Sequence, residues 1–231
     1  MIKPQVTILA AGMGTRLGKP HPKPLTPLND GRTILQQQLD NIHAVFGDDT
    51  HIQIVVGFKL EQIMEAAPNE VFVYNELFDQ TNTNKSLLKA LRASHDGPVL
   101  WMNGDVVFDP AILERLRQFI DAQQTVIAVN TSAVADEEVK YTVDSNGLVK
   151  ELSKVVVGGL GESVGINVVA AHDKQALINR LDECGDQDYF ERGIELAIEK
   201  DGLKVVPVDI SDLFAIEIDT PEDYDRAIEH S

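Results

Sequence analysis

Val6-Thr7-Ile8-Leu9-Ala10 runs straight into Ala11-Gly12-Met13-Gly14-Thr15-Arg16-Leu17, and Pro22-Lys23-Pro24-Leu25 follows four residues later. The first five residues have the length and apolar character of a buried strand, and the glycines mark where it turns. Gly12 and Gly14 are expected to adopt positive φ, bringing successive backbone N–H donors close to an anion. Arg16 and Lys23 supply fixed positive charge. The 231-residue chain carries 37 acidic against 20 basic residues, a formal net charge of −17, yet its first acidic residue is Asp30. So acidic a protein repels nucleic acid and anionic membranes on average. A locally basic loop within it therefore points to a small polyanion held in a pocket, with no nucleic acid and no membrane as partner.

Two widespread phosphate loops fail against this stretch. The dinucleotide fingerprint needs a small residue where Leu17 stands and an acid closing the second strand, where the chain reads Val56-Gly57-Phe58-Lys59. A P-loop needs glycine at Met13 and Ser or Thr at Pro20. What remains, L-A-A-G-x-G-T-R-L and then P-K, resembles the signature of the nucleotidyltransferases that make nucleotide-activated sugars and alcohols. The competing reading is an ordinary glycine-rich turn flanked by surface cations.

Working outward, strand-length apolar runs alternate with helix-period segments: Ile52 to Val56, Val71 to Tyr74, Val99 to Met102 and Val126 to Asn130 are separated by Thr33 to Phe46, Leu60 to Ala67, Asn84 to Ala93 and Ala111 to Gln123. This alternation predicts crossover units and a three-layer α/β fold, a Rossmann-like sheet, mixed but mainly parallel, with helices on both faces. The resemblance implies the nucleotide-diphospho-sugar transferase version of that fold. Ligands then collect at the carboxyl ends of the strands. In the second half, Asn146-Gly147 predicts a hairpin between Tyr141 to Val143 and Leu148 to Leu152. A strand follows at Gly165 to Val169, then helices at Lys174 to Asp182 and Tyr189 to Glu199, strands at Lys204 to Val208 and Phe214 to Ile218, and a helix from Pro221. No repeat or linker divides the chain, so one domain over 1–231 is expected. No apolar run nears the roughly 18 residues of a bilayer span, and Arg16 interrupts the N-terminal apolar stretch too soon for a signal peptide. A cytoplasmic protein is expected, and the lone Cys184 forms no internal disulfide.

Strand Val99 to Met102 ends in Asn103-Gly104-Asp105, which puts a carboxylate at the carboxyl edge of the sheet. Glu217 and Asp219 alternate with Ile216 and Ile218, so on a strand both carboxylates share one face. Asp105, Asp219 and Glu217 together suit Mg²⁺, which takes one or two carboxylates alongside phosphate oxygens. Asp105 equally fits turn chemistry, and Asp219 a strand end before a helix capped by Thr220 with Pro221 at its first position. The G-D and E-x-D-T-P-E-D segments resemble the paired aspartates of the same nucleotidyltransferases.

The resemblance implies a Mg²⁺-dependent reaction in which a phosphate monoester or phosphonate attacks the α-phosphorus of a nucleoside triphosphate. Arg16, Lys23, Asp105 and Asp219 are its catalytic residues, and Leu9, Ala10, Ala11, Gly12, Met13, Gly14, Thr15, Asn103 and Gly104 its further nucleotide contacts. The polar cluster Thr81-Asn82-Thr83-Asn84-Lys85-Ser86 resembles that of cytidylyltransferases acting on phosphocholine and related phospho-alcohols, with Asn82 and Ser86 at the base, which favours CTP. Asp188-Tyr189-Phe190-Glu191 resembles their acidic and aromatic element for a cationic head, Lys154 their acceptor-phosphate lysine, and Glu162 a substrate contact. Asp188 and Glu191 also fit a D-x-x-E helix cap, and Phe190 a core stripe with Ile194 and Ala197. The rival readings are a sugar-1-phosphate nucleotidylyltransferase and a catalytically silent nucleotide-binding regulator.

Overall fold

The computed structural model describes residues 2–14, 20–132 and 138–230. A seven-strand path forms the central sheet: β1 (Gln5–Ala10) lies between β2 (Ile52–Val56) and β4 (Val99–Asn103), with β3 (Val71–Tyr74) beyond β2 and, on the other side, β9 (Glu162–Val169), β6 (Thr125–Asn130) and β10 (Val205–Asp209). Along that path every pairing is parallel except those of β9, which runs antiparallel to both β4 and β6. The mainly parallel three-layer sheet expected from the alternation is therefore present. The side hairpin β7 (Lys140–Val143) and β8 (Val149–Ser153) joins its margin through β9.

Alternation along the strands divides the core in two. Val6, Ile8 and Ala10 of β1 face α1 (Ile34–Phe46), α2 (Leu60–Ala66) and α4 (Ala111–Asp121). Leu9 faces the opposite layer of α3 (Thr83–Ala93), α5 (Lys174–Glu183) and α6 (Phe190–Asp201). Strands covered on both faces read as near-continuous apolar runs, which is why the pattern was legible. The hairpin forms where expected, but Asn146 is not in the left-handed region; only Gly147 is, at φ 78°. The Asp144 carboxylate accepts from the backbone N–H groups of Asn146 and Leu148, so the turn is held by a side chain as well as by glycine.

One strand was not foreseen. Val106–Phe108 forms β5, which pairs antiparallel with β11 (Ala215–Glu217) in a separate two-stranded ribbon. Val106-Val107-Phe108 is too short for its own periodicity to announce a strand. The ribbon packs Val107, Ile216 and Ile218 against Leu28, Ile34 and Ala227 of the final helix α7 (Pro221–Glu229). Helix α7 begins as expected, with Thr220 and Asp223 exchanging hydrogen bonds in a capping box.

The segment joining β4 to β5 is anchored by buried amides of α1. Gln38 Nε2 donates to the carbonyls of Asn103 at 2.9 Å and Val106 at 2.8 Å, and Asn41 Nδ2 donates to that of Phe108 at 2.9 Å. Replacing Gln38 by leucine keeps the volume but leaves two backbone carbonyls without that donor. Gln38→Leu is expected to cost about 2 kcal/mol, read as a melting point several degrees lower in a thermal unfolding scan.

Candidate active site

A cleft of about 430 Å³ opens at the carboxyl ends of β1 and β4. Its floor contains Leu9, Ala10, Asn103 and Gly104, and Gly12, Met13 and Gly14 form part of its rim. Gly14 takes φ 59°, and a Cβ there would lie 2.8 Å from Lys23 Cγ, so the turn and the path of the Lys23 stem both require glycine. Gly12, expected to share that conformation, does not adopt positive φ. Gly104 admits no side chain either, because a Cβ would sit 2.8 Å from the Leu9 carbonyl oxygen. Gly165, at φ 70° where β9 shifts register against β6, leaves room for the Asn103 amide.

Lys23 lies on a short 3₁₀ turn, Lys23–Leu25, set by the flanking prolines. Its ammonium donates to Asp105 Oδ2 at 3.0 Å and to Asp219 Oδ1. Burial alone would pull this ammonium below its ordinary value, but the two aspartates outweigh it and hold the pKa raised. The ribbon brings the carboxylates together: Glu217 pairs opposite Val106, and the Ile218 N–H donates to the Asp105 carbonyl at 3.0 Å. Asp105, Glu217 and Asp219 each offer an oxygen, all within 4.8 Å of one another. Glu217 is pushed well above the carboxylate range, first by burial and then by Asp105 and Asp219. Crowded hard oxygen donors that already gather one cation fit Mg²⁺, so the expected ligand set is geometrically able to hold it.

Another part of the wall comes from β8, β9 and the start of α6. Lys154 places its ammonium 4.9 Å from the centre of the Tyr189 ring. Beside them lie Glu191, the last residue of the acidic and aromatic Asp188 to Glu191 element, and Glu138, which the sequence did not single out. Burial raises Glu138, and neighbouring Glu162 adds to the shift. Glu191 is 7% exposed, and burial pushes its carboxyl from the ordinary 4.5 to about 7. Thr81, Asn82 and Thr83 complete the lining near Phe78.

Four expected contacts are placed elsewhere. Ser86 is buried and accepts from Asn75 Nδ2 at 3.1 Å, which also donates to Thr81; much of the polar cluster thus shapes its own loop. Ala11 is buried, and its carbonyl accepts from Phe58 N–H at 3.1 Å. Asp188 turns back to accept from Gly185 N–H at 2.8 Å, and Glu162 pairs across from Lys140 and Asn130 outside the cleft lining. The D-x-x-E cap does not form: Tyr189 is the N-cap without a side-chain bond, and Phe190 N–H donates to Thr83 Oγ1 instead. Phe190 is a core residue, edge-on to Trp101. Thr15 and Arg16 lie outside the described residues.

A sequence profile described as the MobA-like NTP transferase domain matches residues 6–183. The chain belongs to the MobA-like NTP transferase family. The chain is 29% identical to a CMP-5'-(3-aminopropyl)phosphonate synthase of Streptomyces rubellomurinus, in an alignment covering 96% of this chain and 38% of that protein. It is 27% identical to the bifunctional protein GlmU of Neisseria meningitidis over 89% of this chain and 46% of that one. The chain thus spans less than half the length of either relative. Its fold matches that of a CTP:phosphocholine cytidylyltransferase from Streptococcus pneumoniae with a TM-score of 0.77, at 18% identity over 99% of both chains. Among the described residues, no helix is long and apolar enough to cross a membrane.

Glu191 gives the site a measurable signature. Below pH 4.5 it is protonated in folded and unfolded chains alike and contributes nothing to pH dependence. Between there and about pH 7 only the unfolded chain releases the proton, so stability falls as pH rises, and the cost stays above that. Glu191→Gln removes this, so melts of variant and wild type should diverge in favour of the variant by on the order of 3 kcal/mol from pH 4.5 to 8.

Proposed function

We propose that this NTP transferase, acting as one domain, transfers a cytidylyl group from CTP to a small amino-alcohol phosphate or aminoalkyl phosphonate and releases pyrophosphate. The observation that carries the reading is the convergence of Lys23, Asp105, Glu217 and Asp219 on the cleft bordered by the Gly12 to Gly14 backbone. A fixed cation beside clustered hard oxygen donors suits phosphoryl chemistry, and membership of an NTP transferase family supplies the reaction class. The choice of CTP and of an amine-bearing acceptor is supported by the polar Thr81 to Thr83 wall, by the acidic and aromatic residues around Tyr189, and by the relative whose name specifies a CMP-linked aminopropylphosphonate.

In this reading an acceptor oxygen forms a bond to the α-phosphorus as the bond from that phosphorus to the bridging oxygen of pyrophosphate breaks. A phosphate monoester is already largely dianionic at neutral pH, its second pKa being about 6, so no residue need remove a proton. The work left to the protein is to align two anions that repel and to meet charge as it moves toward the leaving group. Lys23 holds positive charge where the two phosphates meet, and its partners keep it ionised at any working pH. Backbone N–H groups from Gly12 to Thr15, with Arg16, grip the triphosphate, and Lys154 takes the acceptor phosphate. Asp105, Asp219 and Glu217 would hold Mg²⁺, which when bound neutralises phosphate charge and polarises the phosphorus centre.

Lys23→Ala should reduce turnover by about 10²- to 10³-fold, the scale of losing one preorganised donor, with the fold kept as judged by circular dichroism. Pyrophosphate release, measured across four nucleoside triphosphates and a panel of phospho-amines, phosphonates and sugar 1-phosphates, should peak with CTP and an amine-bearing acceptor and should stop on chelation of divalent ions. A peak with UTP or dTTP and a hexose 1-phosphate would replace this reading with the sugar-nucleotide one.

A further inference from the structure

Glu191 stands in the first turn of α6, lines the cleft, and is nearly inaccessible, yet its Oε2 atom has no hydrogen-bond partner. A buried carboxylate oxygen without a donor is costly unless a ligand supplies one. Charge strengthens the point: among the described residues of the lining the only cations are Lys23, tied to Asp105 and Asp219, and Lys154, which lies over Tyr189 and only partly offsets the charge of Glu138 and Glu191. Glu138, half-buried in the same wall, adds a second carboxylate whose proton affinity is raised by burial.

The cleft also limits what kind of cation it suits. A quaternary ammonium has no N–H to give an oxygen and is recognised through aromatic faces. Here Lys154 already covers the Tyr189 ring, and Phe190 is buried against Trp101 with the two rings 5.7 Å apart at 89°. A primary ammonium needs no aromatic face. It brings three N–H donors and one charge, matching a buried carboxylate with one oxygen that lacks a donor.

We propose that Glu191 determines acceptor specificity by accepting a hydrogen bond from a primary ammonium group, so that the enzyme prefers primary amines to their trimethylated counterparts. This rests on the reading of the cleft as a nucleotidyltransferase site with an amine-bearing acceptor. Binding in this geometry draws the acceptor nitrogen to Oε2 of Glu191 and leaves Lys154 to meet the phosphate or phosphonate end.

The test is pyrophosphate release with CTP and two acceptor series, phosphoethanolamine and 3-aminopropylphosphonate, each also as the N-methyl, N,N-dimethyl and N,N,N-trimethyl derivative. Hydroxyethyl phosphate serves as the uncharged comparison. Every amine in the series is cationic at pH 7, so a purely electrostatic well treats them alike. Wild type should lose at least about tenfold in kcat/KM at the last methyl, where the final N–H disappears. Glu191→Gln should lower kcat/KM for the primary amines about a hundredfold while changing that for hydroxyethyl phosphate less than about threefold. A flat methylation series in wild type, a preference for the trimethyl acceptors, or an equal loss on charged and uncharged acceptors in Glu191→Gln overturns the assignment while leaving the reaction class intact. Absence of turnover with every phosphorylated or phosphonylated acceptor overturns both. The wild-type series needs no variant, so a folding defect in Glu191→Gln cannot mask the answer.

Discussion

The contact on which the cleft depends is that of one lysine ammonium with two aspartates far from it in the chain, 82 residues away at Asp105 and 196 at Asp219. Without a cation, Asp105, Glu217 and Asp219 would repel one another in a partly desolvated space; the proton affinity of Glu217 is raised first by burial and then by its two aspartate neighbours. With Lys23 in place, three segments that share no secondary-structure element are drawn to one point. A desolvated cation between like charges is stable only where its surroundings are fixed. The prolines on either side of Lys23 restrict the turn, Gly14 clears the stem, and Gly104 lets the Asp105 segment close onto the Leu9 carbonyl.

The fold supplies that fixity through two departures from a simple parallel sheet. Antiparallel β9 inserts between β4 and β6, and its glycine at 165 relieves the contact with Asn103 just where the sheet opens into the cleft. The β5–β11 ribbon then returns the C-terminal carboxylates to the loop after β4, its register fixed by the backbone bond from Ile218 to Asp105. Buried Gln38 and Asn41 on α1 bind carbonyls on both sides of that loop, so the helix that covers the sheet also sets the height of Asp105. Buried amides in such a place specify one backbone path among the several that apolar packing alone would permit.

Most of the architecture was legible because strands covered on both faces must be apolar throughout and the helices between them must carry a 3.6-residue stripe. The Gly14 turn, Lys23 and the three carboxylates were legible for a different reason: each is a residue type whose chemistry is hard to explain by packing. Short polar side chains were harder. Ser86 and Asp188 satisfy neighbouring polar groups in their own loops, a use that leaves the same sequence trace as ligand contact. In sequence Glu191 fits two readings, a cationic-head element and a helix cap. Its spacing from Asp188 mimics a helix cap, and only the fold shows that Thr83 meets the helix end, leaving the glutamate buried with its Oε2 atom lacking a donor. The signal available was the oddity of an acid beside Phe190 on a helix face that had to be covered.

Charge within the cleft bears on how so acidic a protein would serve a polyanion in the proposed reaction. Among the described lining residues six are acidic, Asp79, Asp105, Glu138, Glu191, Glu217 and Asp219, and two are basic. A bare triphosphate entering that field would be repelled, whereas one accompanied by a divalent ion and met by the acid-free first 29 residues would not. In the proposed reaction the same excess of carboxylates would favour an acceptor whose far end is cationic, since it would deliver positive charge to the wall where burial makes Glu138 and Glu191 hard to ionise. On the proposed reading acidity is a condition of selectivity: the field would exclude simple anions and admit pairs of reactants that carry their own compensating charge.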